Sequence, residues 1–135
     1  MVSDIVSIRV RYGETDQMGV VYHGNYAQYL EIGRIEWLRK LGISYKAMEA
    51  SGIMLPVIHL SLNYKKSACY DDLIKVKTQL KKMPTSKIEF TYEIQNEAEE
   101  ILATGETTLA FIDISKNRPT RCPTYILDKL QNYSL

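Results

Sequence analysis

Two cysteines, Cys69 and Cys122, and two histidines, His23 and His59, are all that the chain offers as soft metal ligands. The cysteines lack the spacing of a redox pair or a zinc site, and two histidines are too few for a metal cluster. No metal or organic cofactor is expected, and both thiols are expected to be free in a reducing compartment. Charge of one sign is lacking too: 17 Lys and Arg against 16 Asp and Glu leave a formal charge of +1. That excludes bulk attraction to nucleic acid or to an anionic membrane. No stretch approaches the about 20 apolar residues of a membrane span, and Met1-Val2-Ser3-Asp4-Ile5 has neither the basic region nor the apolar run of an export signal. A soluble, cytoplasmic protein is expected, with no nucleic-acid partner and no membrane insertion. Its 135 residues suffice for one core but not two, so residues 1–135 are read as a single domain.

What the chain does have is period-two alternation. Val6, Ile8, Val10 and Tyr12 share one face of a strand over residues 5–12. From Pro56 onward the same period returns three times. Ile58, Leu60, Leu62 and Tyr64 form one apolar face; Ile74, Val76, Thr78 and Leu80 a second; Ile88, Phe90, Tyr92 and Ile94 a third. A further strand is expected over 101–114, with Gly105 marking a bend or a bulge. Between the first two strands the period changes to that of a helix. Tyr26, Tyr29, Leu30, Gly33, Trp37 and Leu41 recur on one face of about 16 residues, roughly 24 Å, with Asn25 as N-cap and Gln28 completing a variant capping box. Gly33 costs about 1 kcal/mol in a helix interior, which suggests close approach to the sheet. Gly42 suits the helix C-terminus, and a short second helix is expected from Ser44 to near Gly52. A loop with two prolines, 117–123, precedes a short helix or coil over 125–130.

Four long strands with one apolar face need a cover, and the helix at 26–41 is the largest element available. The expected fold is therefore α+β: a five-stranded antiparallel sheet wrapped around one long central helix. Its exposed strand edges are natural sites for pairing with a second copy.

The chemistry concentrates in Tyr12-Gly13-Glu14-Thr15-Asp16-Gln17-Met18-Gly19-Val20-Val21-Tyr22-His23-Gly24-Asn25-Tyr26, where strand gives way to helix. Three glycines let this backbone approach a ligand closely. The helix that follows aims its first free N–H groups and the positive end of its dipole back at the loop. On spacing alone Asp16 reads first as a turn former or a cap, because Asp readily bonds its own local backbone, and His23 as a polar surface residue.

This string, continued by Tyr29-Leu30-Glu31-Ile32-Gly33-Arg34-Ile35-Glu36-Trp37-Leu38 and by Tyr64-Lys65-Lys66-Ser67-Ala68-Cys69-Tyr70-Asp71-Asp72-Leu73, resembles hotdog-fold acyl-CoA thioesterases. The nearest branch is the 4-hydroxybenzoyl-CoA thioesterase group, with its Tol-Pal-associated acyl-CoA thioesterases. The resemblance covers residues 9 to 123, and the pattern Asp-x-x-Gly-x-x-x-His-x-x-Tyr is its most specific part. It implies a hotdog fold and active sites at the interface of a homodimer, with dimers often pairing into a homotetramer. It makes Asp16 the catalytic carboxylate, nucleophile or general base, with His23 at the helix start and Tyr12 beside the aspartate. Gly24 departs from the various small residues or Pro of relatives without touching the chemistry.

For acyl-CoA as substrate, the resemblance places Gly24, Asn25, Ser61, Asn63, Tyr64, Lys65 and Lys66 around the ligand. Lys65, Lys66, Arg118 and Arg121 are candidates for the phosphates of coenzyme A. His59 is read as a surface or interface residue. Thioester hydrolysis needs a nucleophile or base at the carbonyl carbon and donors for the oxyanion, and loss of one such donor costs about 3 to 4 kcal/mol elsewhere. Two other readings share the fold: a non-catalytic acyl-CoA-binding hotdog module, and a dehydratase with a different His-and-acid arrangement.

Overall fold

The computed structural model describes residues 3–132. Strand β1 (Ser3–Arg9) leads through two 3₁₀ turns, Tyr12–Glu14 and His23–Asn25, into helix α1 (Tyr26–Lys40). A short helix α2 (Tyr45–Ala50) and strand β2 (Ile53–Met54) precede three long strands, β3 (Val57–Tyr64), β4 (Leu73–Leu80) and β5 (Lys87–Gln95). Strands β6 (Ile101–Ala110), β7 (Ile112–Asp113) and β8 (Arg118–Pro119) and helix α3 (Thr124–Leu130) complete the chain.

The main sheet has the order β1-β4-β5-β6-β3, and every neighbouring pair is antiparallel. Its central strands follow the alternation: Ile74, Val76, Thr78, Leu80, Ile88, Phe90, Tyr92 and Ile94 are all buried. The inner face carries α1. A β-carbon on Gly33 would lie 2.9 Å from Val76 Cγ1 and against the Thr78 hydroxyl, so only hydrogen fits where the helix crosses β4. Trp37 meets the Phe90 ring edge-on at 4.9 Å, which locks the far end of the helix to β5. The C-terminus closes as a Schellman motif: Gly42 N–H donates to the Arg39 carbonyl and Ile43 N–H to that of Leu38, both at 2.9 Å. Ser44 caps α2, accepting the Ala47 N–H at 3.2 Å.

Several local expectations change. The first strand stops at Arg9, and Tyr12, expected inward with Val10, is 78% exposed because the chain turns at residue 12. Asn25 does not cap α1 with its side chain. The 3₁₀ turn at His23–Asn25 already gives it helical dihedrals (φ −77°, ψ −16°), and its amide is used elsewhere. Gly105 is no bulge: it pairs in register with Tyr92 and Leu62, and its missing β-carbon makes room for Leu30 and Leu62, each 3.1 Å from where it would stand. The irregularity falls between Ile94 and Gln95 instead. The strand expected over 101–114 breaks after Ala110, and its remainder joins a second sheet of order β2-β7-β8.

The largest difference is β3. It forms the end of the main sheet, bonded among the described residues only to β6, and Val57, Ile58, Leu60 and Tyr64 are all at least 41% exposed. Among the described residues no helix is long and apolar enough to cross a membrane.

Candidate active site

Asp16 sits where the strand-to-helix loop folds back on itself. Its N–H donates to the Val20 carbonyl at 2.8 Å, and its own carbonyl accepts the Gly19 N–H at 3.1 Å, which Gly19 permits by adopting φ +81°. The Met18 N–H donates to Asp16 Oδ1 at 2.8 Å. The carboxylate is therefore oriented by its own turn, as the local reading of Asp anticipates, and still has acceptor capacity for a ligand. The turn-forming and ligand-facing roles coexist. Asp16 lines an open cleft of about 290 Å³ together with Val20, Val21, His23, Tyr26 and the segment Tyr64 to Ser67.

The helix start forms another wall. Asn25 N–H donates to the Tyr22 carbonyl and Tyr26 N–H to that of His23, closing a 3₁₀ turn ahead of α1. The first N–H groups of such a turn, at His23 and Gly24, have no partner within it, and the helix dipole favours negative charge there. Tyr64 reaches across from β3 and donates from its hydroxyl to the His23 carbonyl at 3.0 Å. Its ring lies 5.2 Å from Tyr26 and 6.3 Å from His23, centroid to centroid, so the cleft has aromatic walls. The buried Tyr26 hydroxyl accepts the Ala68 N–H at 3.2 Å, and burial pushes its pKa up despite that bond.

The expected residues divide. Asp16, His23, Tyr64, Lys65 and Lys66 meet in the cleft. Lys65 and Lys66 are held by their backbone N–H groups, which both donate to the Leu102 carbonyl, and Lys66 Nζ pairs with Glu100 at 2.5 Å. Gly24 and Asn25 belong to the 3₁₀ turn beside it. Tyr12 does not line the cleft; its ring packs edge-on against Tyr70 at 5.6 Å. Ser61 and Asn63 line a larger trough, about 480 Å³, on the outer face of the sheet with Thr104 and Glu106. That trough is a polar sheet surface without a histidine. His59 is exposed on β3, beside a register shift. Arg118 stands on β8 with Arg121 beyond it, and neither lines the cleft. Among the described residues no group of three or more His, Cys, Asp or Glu is placed to hold a metal.

Glu14 escaped the sequence reading. Its carboxylate accepts the Tyr29 hydroxyl and the Arg11 N–H, each at 2.9 Å, while its carbonyl accepts the Tyr22 N–H and the Asn25 side-chain amide. Burial pushes the carboxyl pKa up, but the bonds from Arg11 and Tyr29 outweigh it and hold it below the usual value. Burial and the Glu14 contact together raise that of Tyr29. The one available signal was Tyr29 itself, a phenol on the apolar face of a helix, where a buried hydroxyl calls for a partner.

The family model described as the thioesterase-like superfamily matches residues 10–130. A putative acyl-CoA thioesterase of Bacillus subtilis, YneP, is 36% identical over 112 residues, which are 83% of this chain and 81% of the relative. The acyl-CoA thioester hydrolase YbgC of Escherichia coli is 31% identical over 120 residues, 89% and 90% of the two chains. Among solved structures, a DHNA-CoA thioesterase from Staphylococcus aureus superposes with a TM-score of 0.90 at 42% identity, covering 98% of this chain and 93% of that one.

Proposed function

The chain belongs to the thioesterase-like superfamily and has its hotdog fold, and from that premise we propose that it hydrolyses acyl-CoA thioesters at Asp16. The observation that carries this reading is the shared cleft: one oriented carboxylate, Asp16, opens on the same space as the start of a helix at His23. The thioester carbonyl lies between them. Its oxygen, as it becomes an oxyanion, takes the N–H groups at His23 and Gly24, the free donors at the start of the turn. Asp16 supplies either the attacking oxygen, giving an acyl anhydride that water then cleaves, or the base that removes a proton from an attacking water. In both routes the carbon–sulfur bond breaks and CoA leaves as the thiolate. An unlabelled first product after a single turnover in H₂¹⁸O identifies the nucleophilic route with water cleaving the anhydride at the Asp16 carboxyl carbon, because the Asp16 oxygen then leaves with the acyl group.

His23 flanks the carbonyl, Tyr64 holds the His23 carbonyl, and Lys65 and Lys66 at the cleft receive the phosphates of CoA. The aromatic walls formed by Tyr26 and Tyr64, together with the likeness to a DHNA-CoA thioesterase, support an aromatic acyl group in the substrate. Tyr12 is left to pack the loop from outside.

The edge of β3, unpaired among the described residues, supports a homodimer, with β3 of each copy pairing edge to edge and covering Ile58 and Leu60; two such dimers make a homotetramer. The trough bearing Ser61 and Asn63 then flanks that seam. Two free thiols, Cys69 and Cys122, support a cytoplasmic location.

Release of free thiol from a panel of aromatic and aliphatic acyl-CoAs tests the activity, and the same assay on Asp16→Asn tests the residue. Tight binding of every acyl-CoA with hydrolysis of none would instead make the protein a non-catalytic binding module.

A further inference from the structure

Glu14 is a charged residue in a short surface turn, yet its side chain is only 12% exposed. Carboxylates are seldom so enclosed unless several donors hold them. Here Arg11 donates its N–H to Oε1 and its guanidinium to Oε2, at 3.2 and 3.3 Å, and the Tyr29 hydroxyl donates to Oε1. Arg11 is 80% exposed, so its ion pair contributes little. Tyr29 is 1% exposed and fixed on the core face of α1, so it gives the carboxylate a rigid post.

The Glu14 carbonyl has a separate task. It accepts the Tyr22 N–H at 2.9 Å and Asn25 Nδ2 at 2.8 Å. One residue thus holds the arm of the loop that delivers Asp16 two positions later, the arm that returns to His23, and the body of the helix. The pairing of Thr15 with Val21 continues this clamp, and Asp16 follows directly. The loop's closure on Glu14 ties the arm carrying Asp16 to the helix start, beside the Asp16–Val20 and Val21–Ala68 backbone bonds.

We propose that Glu14, braced by Tyr29, is the positioning residue of the site: it fixes Asp16 relative to the N–H groups at His23 and Gly24 and acts on turnover through that placement. The inference rests on the reading of Asp16 as the catalytic carboxylate. Misplacing a reacting group by about 1 Å can cost about 100-fold in rate, so a residue remote from the thioester can still govern kcat.

The test measures kcat, KM and Tm for Glu14→Ala and Tyr29→Phe, each alone and combined with Asp16→Asn, the combined variants by single turnover with enzyme in excess. The expected result is a fall in kcat of about 10- to 100-fold for Glu14→Ala and about 3- to 10-fold for Tyr29→Phe, with KM within about 2-fold. Neither change lowers the residual rate of Asp16→Asn further, because the placement they maintain no longer matters. Should Glu14→Ala fail to fold, Tyr29→Phe, which removes a single hydroxyl, decides the matter alone. The proposal is overturned if kcat stays within about 2-fold of wild type while Asp16→Asn is inactive, or if the same fall recurs in the Asp16→Asn background. Full turnover by Asp16→Asn would instead sink the reading of Asp16 itself.

Discussion

The Tyr64 hydroxyl donates to the His23 carbonyl at 3.0 Å, joining the exposed edge strand to the first residue of the turn that opens α1. The residues are 41 positions apart, and both line the cleft that Asp16 opens on. The edge strand and the helix start are thus tied by this hydrogen bond and by the packing of the Tyr64 ring against Tyr26 and His23.

Tyr64→Phe should lower kcat/KM about 2- to 10-fold, the equivalent of one hydrogen bond of about 0.5–1.5 kcal/mol. The ring remains to line the cleft, so the change isolates the hydroxyl. Thiol-release kinetics check it, and an unchanged kcat/KM would mean the contact is idle.

Leu60→Lys should break the proposed β3 edge pairing and lower the mass of the assembly in light scattering. Leu60 is 44% exposed on the unpaired edge of the sheet, and a charge there opposes edge-to-edge pairing. An unchanged mass would place the interface elsewhere.

Gly33→Val should cost about 1–3 kcal/mol of stability, because overpacking at the crossing of α1 and β4 drives the new methyl groups into Val76 and Thr78. Thermal or denaturant unfolding measures it. Unaltered stability would mean the helix rides further from the sheet.

Cys122 should resist alkylation in the native state while the exposed Cys69 reacts, giving one modified thiol per folded chain and two in denaturant. Burial pushes the Cys122 thiol up to about 12 from 9.0. Its folded pKa is the higher one, so the neutral thiol's contribution to stability is intact below about pH 9. It is lost as pH rises from there towards 12, because the unfolded chain releases its proton first. Reaction of both thiols at equal rates in the folded protein would contradict this.

The sheet core was legible because β4 and β5 are buried on one face and less covered on the other, which is the case that period-two alternation reports. The same signal misled at β3. Alternation tells which residues share a face but not what covers it, so Ile58 and Leu60 read as core although both are exposed. At Asn25 residue type suggested a cap, but the preceding turn had already taken up the backbone geometry that a capping side chain requires. Gly105 shows the ambiguity of a glycine within a strand, where a close contact and a bulge leave the same mark.

Within the site, Asp16 and His23 stood out because they fall in one continuous loop with a recognisable pattern. Lys65 and Lys66 were carried by the same resemblance. The link from Glu14 to Tyr29 was invisible, since it joins a turn to a helix face across 15 residues and follows no local spacing rule.

Asp16→Asn is the most direct test, because the amide keeps the shape of the side chain while removing the charge. The measurement is thiol release from an aromatic acyl-CoA, run beside equilibrium binding of the same thioester. The account predicts a fall in kcat of at least about 100-fold, the scale of losing a catalytic base or nucleophile, with Kd for the substrate within a few-fold of wild type. Turnover at the wild-type rate would contradict it and move the chemistry to another residue.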